Sequence, residues 1–362
     1  MYHAARASSR DALEFCDFSA SINPLGVPLA ARRVLQTAIR KILHYPDPQG
    51  RALLEAIAKR HGISPDNVLL GNGTVELIYA IPSALNIRHG LIIGPTFSEY
   101  ERVLTLAHAR VTCVLARLED HCRPPIPEAL ATVQQPPATG AGKRPLPIDA
   151  MFLCNPNSPT GQSVSRNSVY RILEEVKRHG GCLIVDETFV EFCEEKSVIR
   201  RAVSDDSLLV LRSFTKFYGI PGLRIGYAVG TEKRLQAIRN RLPPWSVNTL
   251  AQEAAWACLQ DHRYRKRTLL FFQKERPVFR RALERIPGFR VYPSSANFFL
   301  VELPRPLTSH KVQAALMEHG FLVRDCSTYP GLDERMLRFA VRTSNENARL
   351  VKHLQHVVNA QQ

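Results

Sequence analysis

Five short apolar runs recur along the first two thirds of the chain, each closed by turn residues: NVLLGNG, GLIIGP, AMFLCNP, CLIVDE and SLLVLRS. None alternates strictly with polar residues, which predicts strands buried on both faces. Between them lie segments of helical period. In RALLEAIAKRHG the residues Leu53, Leu54, Ile57 and Ala58 fall on one helix face, and SVYRILEEVKRHGG repeats the pattern. Strands and helices in alternation predict an α/β domain whose mostly parallel central sheet is sandwiched by helices. Ligands of such open sheets gather beyond the carboxyl ends of the strands. Those ends carry Asn72, Gly73, Asn155, Asn157, Asp186 and Ser213, so polar residues are expected along one edge.

After RLPPWSVN (241–248) the pattern changes. One long helical region, about 247 to 285, leads into GFRVYPSSANFFLVEL, then a helix and LRFAVRT, which predicts a smaller α+β domain. The expected division is an N-terminal arm (1–30) belonging to the small domain, a large domain (31–245), and a connecting helix with the small C-terminal domain (246–362). RPPIPEALATVQQPPATGAGKRPLPID is rich in Pro, Gly and Ala and reads as a surface excursion with a single helical turn. ARLVKHLQHVVNA reads as an amphipathic terminal helix carrying His353 and His356.

Composition narrows the function. At 362 residues and 45% hydrophobic, the chain can bury a sizeable core. It has no long apolar run, and MYHAARASSRDALEF lacks the apolar centre of a secretion signal, so a cytoplasmic protein is expected. The eight cysteines are scattered without a C-x-x-C pair, and no metal site is expected. Lys and Arg outnumber Asp and Glu by 48 to 33, a net charge of +15. The excess is dispersed over helix faces as ARR, RNR, RYRKR and FRRALER, without aromatic interleaving of an RNA-binding type, which argues against nucleic acid and membrane as partners. A small anionic substrate fits the charge better.

The chemistry concentrates in SFTKFYGIPGLRIGY, residues 213–227. An amine that forms a Schiff base must sit at a fixed place beside its carbonyl partner, and pyridoxal 5'-phosphate is the commonest such partner. Lys216 is the candidate amine. Asp186, at the end of an apolar run, can pair with a pyridinium nitrogen. Ser213, Thr215 and Arg224, with Gly73 and Thr74 in a Gly-rich turn opening a helix, suit a phosphate.

Together these residues resemble the fold type I pyridoxal-phosphate-dependent transferases, the aspartate aminotransferase superfamily, over nearly the whole chain. The resemblance implies that Lys216 is the Schiff-base lysine of an S-x-x-K segment and that Arg224 holds the cofactor phosphate. It places Asp186 in the D-E-x-[YF] element (DETF), Phe97 of GPTFSEY against the cofactor ring, and Arg338 of LRFAVRT on a substrate carboxylate. Tyr45 of HYPDP matches a tyrosine that crosses to the neighbouring subunit's cofactor phosphate, which implies a homodimer. Two departures concern the cofactor's phenolic oxygen: Ser158 stands where the N-P-x-x-P-T-G loop usually has Asn, and Phe189 where Tyr is frequent. Asn157, one position earlier, is a candidate substitute in cofactor and substrate binding.

Within the superfamily, DFSASINPLGVP, YPDPQG, PPWSVNTLAQEAAWACLQD and RDCSTYPGLDERMLRFAVRT resemble the threonine-phosphate decarboxylases of cobalamin biosynthesis, close relatives of the histidinol-phosphate aminotransferases. This resemblance implies decarboxylation of O-phospho-L-threonine, with Arg324 and Arg338 as substrate anchors and Ser21 replacing a substrate-binding Asn. The H-G-G element that helps hold the substrate phosphate is missing, with His3 its only candidate remnant. Rival readings are an aminotransferase, a phosphoserine-preferring decarboxylase, a non-catalytic cofactor-binding regulator, and a decayed paralogue.

Overall fold

The computed structural model describes residue 11, residues 14–137 and residues 146–359; His3 lies outside them. The strands are β1 (Cys16–Asp17), β2 (Val68–Gly71), β3 (His89–Gly94), β4 (Arg110–Leu115), β5 (Ala150–Cys154), β6 (Cys182–Asp186), β7 (Leu208–Ser213), β8 (Gly226–Val229), β9 (Arg290–Val291), β10 (Phe298–Glu302), β11 (Phe321–Leu322), β12 (Arg324–Asp325) and β13 (Met336–Ala340). The helices are α1 (Leu29–Ala38), α2 (Arg51–His61), α3 (Gly73–Ala84), α4 (Glu99–Leu106), α5 (Ile126–Gln134), α6 (Arg166–Arg178), α7 (Ile199–Ala202), α8 (Glu232–Arg239), α9 (Thr249–Gln260), α10 (His262–Glu284), α11 (Ser309–Glu318) and α12 (Ser344–Asn359).

The five apolar runs form β2, β3, β5, β6 and β7, and every residue of these strands is buried. They belong to a sheet of order β2-β8-β7-β6-β5-β3-β4. Strands β7, β6, β5, β3 and β4 are parallel, whereas β8 runs antiparallel to both neighbours. Because side chains alternate across a strand, each run supplies two cores: Leu91, Ile93, Leu183 and Val185 join one, and Ile92 and Ile184 the other. Helix caps are local. The Ser165 hydroxyl accepts the Ser168 amide at the start of α6, and Lys177 and Arg178 occupy its last turn, where the helix dipole favours cations.

A second, antiparallel sheet of order β12-β13-β10-β9 packs with α10, α11 and α12 around Phe272, Phe279, Phe299 and Leu337. The N-terminal segment returns to it. β1 pairs in parallel with β11, and Phe18 is fully buried in this second core.

Three local expectations change. The helical region after residue 247 is two helices, because the Asp261 backbone leaves helical angles while its side chain accepts the Tyr264 amide and caps α10. Ala251, Ala254, Ala255 and Cys258 of α9 pack in the core of the large sheet, while Phe272 and Phe279 of α10 pack in the second core. The Pro-rich excursion holds α5, nine residues long, with Ala129 and Val133 buried four positions apart. β4 and β8 carry no long apolar run: β4 is the partly exposed edge strand, and β8 has only four residues. Among the described residues no helix is long and apolar enough to cross a membrane.

Candidate active site

The carboxyl ends of the parallel strands face the second sheet across a cavity of about 710 Å³. Thr74, Phe97, Asp186, Ser213, Lys216 and Arg224 line it from the large sheet, and Arg324 and Arg338 from the small one. Residues spread from position 74 to 338 thus converge on one space.

Lys216 follows β7 in a tight turn, and its Nζ donates to the Ala20 carbonyl at 2.9 Å. It touches the cavity but is enclosed by protein on its other sides. Burial, with Arg338 and Arg224 nearby, pushes its pKa down to about 8, against a weaker pull from Asp17. A lysine so placed carries an appreciable fraction of free amine near neutral pH, the form that attacks a carbonyl.

Asp186 ends β6. Its Oδ2 accepts the Tyr100 hydroxyl at 2.6 Å and its Oδ1 the Thr188 amide at 2.9 Å, so the carboxylate is held in one orientation. Burial raises the Tyr100 phenol well above its ordinary pKa, and it remains a donor. Tyr100 stacks on Phe152, and Phe97 meets its edge at a ring separation of 5.7 Å.

Gly73 begins α3 with φ of 75°. A Cβ built there would lie 2.5 Å from Nη2 of Arg224, so the absent side chain is what admits the guanidinium beside the helix start. Free amides of the first helical turn and a guanidinium together make an anion site. The Ser213 hydroxyl accepts the Thr215 amide and fixes the turn before Lys216.

Arg338 on β13 is buried. Its Nη1 donates to the Ser158 hydroxyl at 2.8 Å and its Nη2 to the Ser19 carbonyl at 2.6 Å, while Nε has no hydrogen-bond partner. Burial lowers its pKa. Arg324 on β12 is exposed at the mouth and lies over the Tyr329 ring, 5.6 Å from its centre. The β12–β13 register sets Arg324 directly opposite Arg338, and neither forms an ion pair with a carboxylate among the described residues. Like charges facing each other across strands are destabilising.

Four residues singled out in the sequence stand outside the lining. Ser21 is fully buried behind Ser19 and Ala20, with φ of 51° and a hydroxyl that has no partner. Asn157 donates both amide hydrogens, to the Pro95 carbonyl and the Thr160 hydroxyl, and accepts from Thr96. Its donors are committed, and it is Ser158 that reaches the cavity. Gly73 stands just behind Arg224. Tyr45 is 81% exposed and packs on Trp245 at 5.0 Å. Sequence reasoning missed Tyr100 and Tyr329. Tyr100 sits on the buried face of an amphipathic helix, where a tyrosine reads as core, and Tyr329 is in an irregular loop without periodicity.

The family profile described as aminotransferase class I and II matches residues 14–354. The chain belongs to this family. It is 35% identical over 347 residues to the threonine-phosphate decarboxylase of Salmonella typhimurium, covering 95% of this chain and 92% of that one. Among solved structures, the L-threonine-O-3-phosphate decarboxylase of Porphyromonas gingivalis superposes with a TM-score of 0.82 at 28% identity, covering 95% of this chain and 99% of the other. The histidinol-phosphate aminotransferase of Clostridium acetobutylicum gives 0.85 at 28% identity with the same coverage. The fold is that of the fold type I transferases. The residues present fit pyridoxal phosphate at three points: an oriented carboxylate for the ring nitrogen, the Gly73–Arg224 cradle for the phosphate, and an amine of lowered pKa for the carbonyl. At the phenolic oxygen they fit less closely, since Phe189 has no hydroxyl and Asn157 no spare donor.

Proposed function

We propose that this protein is a pyridoxal-phosphate-dependent carboxy-lyase that converts O-phospho-L-threonine to (R)-1-amino-2-propanol O-2-phosphate and carbon dioxide, a step of cobalamin biosynthesis. The observation that carries the reading is the facing pair Arg324 and Arg338, without a carboxylate partner among the described residues, in the cavity that Lys216 also lines. A substrate with a carboxylate and a phosphate neutralises both, and guanidinium forks suit either anion. The decarboxylase relative from Salmonella typhimurium, matched over 95% of this chain, supports the same substrate.

Bound here, pyridoxal phosphate supplies an electron sink for the pair released when a bond to the substrate Cα breaks. Asp186, held by Tyr100 and Thr188, keeps a proton on the ring nitrogen. Arg224, Ser213 and the amides of Gly73 and Thr74 would hold the phosphate, and Phe97 would cover the ring. Lys216 would supply the amine that holds the cofactor through its carbonyl. Arg338 and Arg324 would hold the substrate's two anionic groups and so fix which bond to its Cα is presented for cleavage, the Cα–carboxylate bond rather than the Cα–H bond. The carboxylate leaves as carbon dioxide, its bonding pair stays with Cα, and Lys216 or a water molecule returns one proton to that carbon.

The enzyme is read as a cytoplasmic homodimer. Ile42, Leu43, Tyr45 and Trp245 are exposed apolar side chains near one another in sequence or in contact, a surface suited to a second copy whose cofactor phosphate Tyr45 reaches.

The test is carbon dioxide release from O-phospho-L-threonine by purified protein with added pyridoxal phosphate. O-phosphoserine, and histidinol phosphate with 2-oxoglutarate, serve as parallel substrates. Carbon dioxide from phosphothreonine without glutamate is expected. Glutamate formed from 2-oxoglutarate without carbon dioxide overturns the decarboxylase reading in favour of an aminotransferase.

A further inference from the structure

A second cavity, of about 720 Å³, opens where the C-terminal end of α2, the start of α6, α7 and the junction of α9 with α10 meet. It shares no lining residue with the catalytic cavity. Its charged lining is Lys59, Arg60, Arg166, Arg200 and Arg265 against a single acid, Glu194. That acid is engaged from behind: both its oxygens accept from the buried Arg212. Glu191, beneath the floor, is shared by Arg60 at 2.7 Å and Arg212 at 3.4 Å, with Arg265 Nε 4.0 Å away.

The remaining three cations have no such tie to an acid. Arg51, Arg178, Arg280, Arg335 and Arg342 each pair with a carboxylate. Lys59, Arg166 and Arg200 pair with none among the described residues. The guanidinium of Arg166 is held by its Nε on the Ser197 carbonyl at 2.8 Å, and that of Arg200 on the His61 carbonyl at 3.2 Å. Backbone acceptors thus fix each group through one nitrogen and leave its terminal nitrogens without an acid. Burial, foremost, lowers the pKa of His61 to about 3, with Arg212, Arg60 and Arg200 lowering it further against a pull from Glu194.

Lys59, Arg166 and Arg200, set around a concavity without a carboxylate partner among the described residues, favour an anion from solution, and arginine forks favour phosphate oxygens. The volume matches cavities that hold organic ligands, about 300–1,000 Å³, rather than a lone inorganic ion. Tyr170, Ile199 and Leu259 add an aromatic and apolar stretch for a carbon framework. We propose that this cavity is a second, non-catalytic binding site for a phosphorylated organic molecule of nucleotide size. Its floor connects to the catalytic strand: Arg60 contacts Glu191, Glu191 contacts Arg212, and Arg212 bonds Glu187 beside Asp186 and directly precedes Ser213.

The experiment is calorimetric titration of the pyridoxal-phosphate-loaded enzyme with ADP and with inorganic pyrophosphate, at about 0.15 M salt so that diffuse attraction is screened. ADP is expected to bind the wild type and Arg338→Ala alike, and to bind the triple variant Lys59→Glu, Arg166→Glu, Arg200→Glu at least about tenfold more weakly. Pyrophosphate is expected to bind less tightly than ADP. These side chains are exposed, so the triple variant should melt as the wild type does; if it does not, Arg200→Ala alone reads the same loss. Binding that vanishes in Arg338→Ala and persists in the triple variant would place the ADP in the catalytic cavity and overturn the proposal. So would the absence of binding to the wild type. Pyrophosphate binding as tightly as ADP would overturn the organic part of it.

Discussion

Lys216 shows how much one side chain's surroundings decide. In an unfolded chain its amine holds a proton up to pH about 10.5, whereas in the folded, cofactor-free protein it releases it near 8. Between those values the unfolded state binds more protons, so unfolding free energy rises with pH in that window and the burial cost is felt in full below it. Allowing for the water the cavity admits, the rise is ~2 kcal/mol. Urea denaturation of the cofactor-free protein at several pH values should show this rise, and Lys216→Met should lack it; equal slopes would acquit the lysine. Ser21 is a second residue-scale case. A left-handed backbone and a buried hydroxyl without a partner both cost stability, so Ser21→Gly should stabilise the protein by about 1 kcal/mol in thermal unfolding. The motif around Lys216 was legible because its residues are close in sequence. The commitment of Asn157 to Pro95, Thr96 and Thr160 was not, because it depends on loops brought together by folding.

At the scale of elements, the junction of β2 with α3 and the turn between β7 and β8 meet only because β8 lies between β2 and β7 in the sheet. That placement brings Arg224 against Gly73. Gly73→Ala introduces both a clash with the guanidinium and a strained left-handed residue, the latter costing roughly 1–2 kcal/mol. Spectral titration with pyridoxal phosphate should show affinity reduced by about tenfold or more, as expected when a charged contact to phosphate is displaced. Unchanged affinity would mean that Arg224 is not the phosphate holder. The buried strands were readable because covering both faces leaves mainly apolar residues, in runs. β4 and β8 were not: an edge strand tolerates Arg110 and Thr112, and four residues are too few to display a period. The break at Asp261 was hidden for a different reason. Its neighbours on both sides are strong helix formers, and only the cap formed with the Tyr264 amide reveals it.

For the whole molecule, the prediction concerns assembly. Sedimentation should show a dimer, and Tyr45→Phe should preserve it while weakening cofactor binding by roughly tenfold, the value of a hydrogen bond to a charged group. A monomeric wild type would remove the role given to Tyr45. The sequence by itself determined the α/β class, the family, and the lysine segment that lines the cavity, because buried strands demand apolar runs and the residues of that segment lie at short fixed spacings. The opposition of Arg324 and Arg338 was decided only by the tertiary structure. So were the bond from Tyr100 to Asp186 and the cluster of cations around the second cavity. Each depends on strand register or helix junctions that join residues far apart in the chain, and a linear pattern does not carry such distances.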